Sequence, residues 1–464
     1  MTSQRTITQE VAEFILSQKF RGLPRNVVRE SRRCILDGLA VMLAGSTESS
    51  AHVIRGYLKE TVSRGPATVV GSPLKAQTHL AALANGTSGH AMDYDDTQLS
   101  STPDRAYGLL THPTVPVLAA ALAVGQEVGA SGKEVFNAFC TGFEVECKIA
   151  QAISPKHYQQ GFHSTGTMGG FGAAATAAKL WGLTVEQTRM ALGIAASKAA
   201  GLRVNFGTMT KPLHAGAAAE NGVVAARLAR LGYTADPSGL DGQWGFFQVT
   251  AGGCEPEYIV GKLGKPWSVV NPGVSVKPYP CGSLGHPSMD AMLDLVQEYD
   301  VKPDRVEEIR VGTTSFVLAP LRYMKPQNAL EAKFSIPFMM AILVLRRKAG
   351  IEEFKDDVVL SKPVREMMGK VKPYLNKEIE AKGFDRIRSV IEIKLKGGRV
   401  ISREAEASRG SPMRPMTAEE MEEKFRDCAK GVLSTRRASR VLEAVERLEG
   451  YADINEFMAL LRGK

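Results

Sequence analysis

Between His90 and Pro113 the chain places three carboxylates (Asp93, Asp95, Asp96), the Thr97 hydroxyl and two imidazoles (His90, His112) in one short segment. Such a set can move protons, let an acid orient a histidine, or hold a hard cation such as Mg²⁺. The acids lack the regular oxygen-ligand spacing of an EF-hand loop, and the chain has no clustered Cys or His-rich ligand motif, so activity is expected to need no metal. LAALANGTSG precedes it and TVPVLAAALAVG follows it. Polar groups held between core-forming stretches suit the wall of a site better than a solvated loop. The structural alternatives are helix caps for Asp95 and Asp96 and a satisfied core imidazole for His90.

Four further segments set a basic, imidazole or phenol side chain among small residues and turns. His163, in GFHSTG ahead of a Gly/Ala-rich helix, is a candidate acid or base, and that helix start could hold an anion. Lys211, in TKPLHAG, has no acid beside it in sequence and is a candidate partner for a substrate carboxylate. Lys277, in VKPYPCGSLGH, lies at a Pro/Gly-rich crossing, where interdomain pockets form. Both lysines are expected in one cleft, exposed enough that their loss would spare the fold. Cys281 has neither a partnered base nor a charge beside it in sequence and is read as structural. Tyr323 is a candidate hydrogen-bond or proton donor, or else a core tyrosine.

What must position these groups is a chain too long for one ordinary core, at 464 residues, 44% hydrophobic and 23% charged. Up to about Gly264 it reads as successive helices, with capping boxes at Ser131–Glu134 and Thr184–Gln187. Runs such as GGFGAAATAAKLWG carry small residues that let helices approach closely. After Gly264, alternating stretches appear (RVEEIRVGTT; SVIEIKLKGGRVISREAEA, with Gly397–Gly398 as a hairpin turn). Helical periodicity returns after GSPMRPM. The expected fold is therefore mainly α: residues 1–265 plus 406–464 as an all-helical domain, with 266–405 as an inserted α+β lid.

The net charge of +9 is spread among acids with no arginine-rich arm, which argues against nucleic acid and for attraction of small anions. No apolar run could span a membrane, and the N-terminus lacks an apolar signal core. The six cysteines are scattered, as expected for reduced thiols in the cytoplasm rather than for a zinc or disulfide framework.

Taken in order, HAMDYDDT, THP, GFHSTGTMG, TKPLHAG, KPYPCGSLGHPSMDA and ALEAKFS resemble the motifs of the MmgE/PrpD family. That family includes 2-methylcitrate dehydratases, cis-aconitate decarboxylases and iminodisuccinate epimerases. The resemblance runs from the first helices to EEMEEKF and implies a helical domain with an α+β lid, usually in a homodimer. By motif position it places the site on Asp93, Thr97, His112, His163, Lys211, Lys277 and Tyr323. It also implies a lyase or isomerase acting without metal or cofactor on a small di- or tricarboxylate, through a carbanion beside a carboxylate. In that reading Lys211, Lys277 and His112 hold negative charge and His163 moves the proton. Tyr323 or His112 serves the opposite face, while Asp93 and Thr97 orient. The link QLSSTPDRAYGLL between Thr97 and His112 is longer than in some family decarboxylases. That difference puts a dehydratase first, with an epimerase or a decarboxylase as alternatives and a non-catalytic carboxylate binder last.

Overall fold

The computed structural model describes residues 6–61, 64–99, 111–383 and 385–463. Most of the 98–110 link therefore lies outside the described residues.

The first half is a pile of helices: Arg25–Gly45, Thr78–His90, Thr114–Val128, Gly132–Ile153, Ser164–Leu180, Val185–Lys198 and Thr210–Arg230. Both expected capping boxes are present, at Ser131/Glu134 and Thr184/Gln187. Thr210–Arg230 packs against Thr78–His90 and Ser164–Leu180. The small residues explain how closely it does so. A Cβ on Gly86 would lie 2.8 Å from the Gly216 Cα, and one on Gly222 would lie 2.5 Å from the Ala173 Cβ. Both are closer than real Cβ contacts, so the three helices that carry His90, His163 and Lys211 need glycine at their crossings.

Beyond the crossing at residues 264–285, a four-stranded sheet forms in the order Val371–Leu375, Val306–Thr313, Ser389–Leu395, Val400–Ala405. The first pair is parallel and the others are antiparallel. Gly397 and Gly398 make the hairpin turn with φ of 100° and 88°, which only glycine adopts freely. Helices His286–Glu298 and Ile336–Arg346 pack on the sheet.

ALEAKFSIPF does not run as one helix. It breaks after Ala332 and restarts at Ile336, where the Ser335 hydroxyl accepts from the Phe338 N–H and Pro337 sits in the first turn. The break turns Lys333 and Phe334 inward, towards the domain crossing.

Among the described residues two large apolar cores form, beside a small cluster of Val276, Met416 and Met421. One joins residues from Val11 to Val269 with the C-terminal stretch from Phe425 to Leu461. The other takes in Tyr279 to Ile401, together with Tyr158 and Phe206 from the helical part. Helix Ala418–Ala429 packs back on Arg25–Gly45. Among the described residues no helix is long and apolar enough to cross a membrane. The six cysteines are free thiols, five of them buried.

Candidate active site

Helix Thr78–His90 ends at His90, and in the turn after it Asp93 takes φ of 52°. Left-handed backbone is uncommon outside glycine, and it persists where the surroundings over-determine it. Asp95 then folds back beneath two imidazoles. Its carboxylate is 2.9 Å from His90 Nδ1 and 3.3 Å from His112 Nδ1. A carboxylate only accepts, so each ring offers it Nδ1–H and keeps a lone pair on Nε2. Asp96 turns the other way and accepts from the Thr114 hydroxyl at 2.6 Å and, more weakly, from the Thr114 N–H at 3.4 Å, at the start of helix Thr114–Val128. Thus Asp95 orients histidines and Asp96 anchors Thr114. Burial, reinforced by Asp37, pushes the Asp96 carboxyl up to about 8.

Two lysines from different halves of the chain converge on Asp93. Lys211 Nζ lies 3.1 Å from Asp93 Oδ1 and 2.8 Å from His90 Nε2. Lys277 Nζ lies 2.5 Å from the same Oδ1 and 2.9 Å from the Asp93 carbonyl. The expectation of exposed lysines away from acids is therefore corrected. Lys211 is 4% exposed and Lys277 1%, and one carboxylate bridges both. The chain separates these groups by more than a hundred residues, which is why the acid was invisible along the sequence. Burial alone would raise the Asp93 carboxyl, but the two ammonium groups outweigh it and hold it well below its ordinary range. Burial lowers Lys211 in turn, with Asp93 opposing.

Asp93, Thr97, His112, His163, Lys211 and Lys277 all line one pocket. Two buried atoms of these residues have no hydrogen-bond partner: Asp93 Oδ2 and His163 Nε2. Buried polar atoms are nearly always paired, so orphans lining one cavity are what a ligand would satisfy. His163 precedes helix Ser164–Leu180, its N–H donates to the Gly201 carbonyl, and its Nδ1 is 2.9 Å from His214 Nδ1. Burial, then the neighbouring Lys211, holds His163 well below its ordinary range, and burial lowers His112 as well. Both shifts favour the neutral ring.

Tyr323 is placed differently from the sequence expectation. Its hydroxyl donates to the Phe206 carbonyl at 2.9 Å and the residue does not line the pocket. It backs the loop that carries Phe206 into the wall. Cys281 is buried, which raises its thiol, and its Sγ lies 3.5 Å from His286 Nε2.

The sequence reading missed several contributors. Tyr158, Phe206, Ser283 and Phe334 also line the pocket, and the Ser283 hydroxyl is 3.0 Å from that of Thr97. Isolated aromatics such as these carry no pattern that marks them. Lys424 was missed because it sits on an ordinary amphipathic helix. Its buried ammonium contacts Asp37 at 2.6 Å and donates to the Tyr94 and Lys277 carbonyls, both at 2.9 Å. The C-terminal helix thereby fixes the backbone beside Asp93 and of Lys277 itself. On helix Gly132–Ile153, Glu146 accepts from the Thr111 hydroxyl, next to His112, and Glu144 accepts from the Gly264 and Ser268 N–H groups at the crossing.

His90, Asp93, Asp95 and His112 offer ligand atoms within 4.8 Å of one another, a grouping that could hold a metal. However, the two ammonium groups already sit on Asp93 Oδ1, and one of them is on His90 Nε2. A divalent ion would have to displace cations from its own ligands.

Residues 9–259 match the family model of the MmgE/PrpD N-terminal domain, and residues 279–450 match that of the MmgE/PrpD C-terminal domain. The chain is 30% identical to a cis-aconitate decarboxylase of Homo sapiens, over 99% of this chain and 95% of the relative. It is likewise 30% identical to that of Mus musculus, over 99% and 94%. With the cis-aconitate decarboxylase of Aspergillus terreus (strain NIH 2624 / FGSC A1156) the identity is 26%, over 98% and 96%.

Proposed function

The chain belongs to the MmgE/PrpD family, and from that premise we propose that it is a metal-independent lyase acting on a small tricarboxylate, with decarboxylation of cis-aconitate as the leading reaction. The observation that carries this reading is the convergence of Lys211 and Lys277 on one carboxylate oxygen, beside the unpartnered His163 Nε2. The full-length similarity to cis-aconitate decarboxylases moves that reaction ahead of the dehydration favoured by the sequence.

The chemistry asks for what these residues offer. When a β,γ-unsaturated carboxylate loses CO₂, the C–CO₂ electron pair becomes a new double bond. The old π pair moves to the carbon beside a second carboxylate, as an enediolate, and that carbon takes one proton. Charge therefore grows on a group that is already anionic, and preorganised ammonium groups stabilise that growth. Lys211 and Lys277 would hold the carboxylate and the enediolate, sharing it with Asp93. His163 would deliver the proton from Nε2, and Thr97 with His112 would position the substrate. The lid, residues 266–405, would exclude water when closed.

Dehydration of a hydroxytricarboxylate is the second reading, favoured by the long link between Thr97 and His112. It also passes through an enediolate, that of the intact hydroxy acid, with the proton leaving first and hydroxide after it. An assay of purified protein on cis-aconitate and on hydroxytricarboxylates, before and after dialysis against EDTA, separates these outcomes. CO₂ release from cis-aconitate, undiminished by dialysis, is expected. Water loss alone would transfer the assignment to the second reading. Activity lost on dialysis and restored by zinc or iron would overturn metal independence.

We also propose that the chain works as a homodimer. Tyr233, Trp244 and Val249 lie exposed along a groove, and Trp244 is 82% exposed. Lys198 and Asp236 line the same groove, so a two-fold pairing could match opposite charges. Sedimentation is expected to give twice the chain mass, and Trp244→Glu is expected to give monomers. Wild-type monomers at micromolar concentration would refute the pairing.

A further inference from the structure

His163 poses a problem that its burial makes acute. It is 1% exposed, and while substrate fills the pocket a group that hands a proton to carbon must be resupplied from its other side. Among the described residues its ring has one hydrogen-bonded contact, with His214, Nδ1 to Nδ1 at 2.9 Å. Two like nitrogens at that distance must share a single proton, so one ring donates while the other accepts. The position of that proton fixes what His163 shows the pocket. With the proton on His214, the His163 Nδ1 accepts, and its Nε2 carries N–H, an acid. With the proton on His163 Nδ1, its Nε2 carries a lone pair, a base.

His214 stands at the edge of burial, 9% exposed, and is packed between Gly166 and Gly201. Burial first, and then Lys211, lowers it to about 4. The charged or titratable groups facing the pair are Lys211, His90 and His112. All three disfavour imidazolium, which keeps both rings neutral and able to pass a proton between them.

We propose that His214 is a proton-relay residue that positions and resupplies the proton of His163. In the forward direction a solvent proton adds to His214 Nε2 while its Nδ1 proton passes to His163 Nδ1. The His163 Nε2 proton passes to the substrate carbanion in the same relay. One proton moves from solvent to carbon, and both rings end neutral with their tautomers exchanged. The pair resets once product has left: water gives a proton to His163 Nε2, the shared proton returns to His214 Nδ1, and His214 Nε2 releases its proton to solvent. In the reverse direction the same pair drains a proton taken from carbon, so one dyad serves acid and base chemistry alike.

The inference rests on His163 as the proton-transfer group, and its test separates the two. Asparagine at position 214 can hydrogen-bond to His163 Nδ1 but cannot relay. With cis-aconitate as substrate, His214→Asn is expected to lower kcat about 10- to 100-fold, as for loss of part of a general acid–base device. KM should stay within about twofold, and added imidazole should restore part of the rate. If His163→Gln is inactive while His214→Asn turns over like the wild type, the relay is overturned and the catalytic reading stands. If His163→Gln itself turns over normally, the catalytic reading falls. A measurement without substrate decides the dyad independently. In the full chain labelled with ¹⁵N-histidine, one shared proton is expected between the two Nδ1 nitrogens, seen as coupling across the hydrogen bond. Two unprotonated Nδ1 nitrogens would overturn the relay.

Discussion

Replacing Lys211 or Lys277 with methionine is expected to lower kcat/KM roughly 30- to 1000-fold, the effect of removing about 2–4 kcal/mol of preorganised electrostatic stabilisation. Each ammonium sits within 3.1 Å of Asp93 Oδ1, in a pocket whose other polar groups are neutral rings and hydroxyls. Charge developing on a substrate carboxylate there has no other cation among the pocket-lining residues. Methionine keeps the length of the stem and removes the charge. Breaking a buried ion pair commonly costs about 3–5 kcal/mol of stability. Asp93 keeps its second lysine in either variant, which limits that cost, and thermal unfolding measured alongside the kinetics separates unfolding from lost catalysis. Folded variants that turn over within about threefold of wild type would end the carboxylate-clamp account.

The His163→Gln variant should lose kcat by about 10²- to 10⁴-fold while KM changes little, because a proton-transfer group acts mainly in the transition state. Glutamine can fill the space and accept one hydrogen bond but cannot exchange a proton. The environment also fixes a pH signature. Burial and Lys211 both disfavour the charged ring, so His163 should stay neutral as pH falls through 6.5, the ordinary imidazole midpoint. An NMR titration of the free protein checks the sign. A midpoint at or above 6.5 would mean that the ring is already charged near neutrality, and the neutral-imidazole mechanism would fail.

Much of this arrangement was readable along the chain because it depends on local signals. The capping residues Ser131 and Thr184, the Gly397–Gly398 turn and the change of period after Gly264 each act within a few residues. The density of acids and imidazoles from His90 to His112 pointed to the site for the same reason. What stayed hidden depends on contacts between distant segments. Asp93 meeting Lys211 and Lys277, Lys424 reaching the Tyr94 and Lys277 carbonyls, and His214 backing His163 all join segments that only the helix packing brings together. Tyr323 shows the converse: a polar tip beside the right motif is committed to a backbone carbonyl instead of the pocket.

The central claim is that a carbanion forms beside a carboxylate held by Lys211 and Lys277 and takes its proton from His163. Turnover of cis-aconitate by the purified chain in D₂O, followed by NMR of the product, tests it most directly. One deuterium is predicted at a carbon next to a retained carboxylate, with product formation collapsing in His163→Gln. A product carrying only protium at that carbon, or deuterium entry undiminished in His163→Gln, would contradict the account.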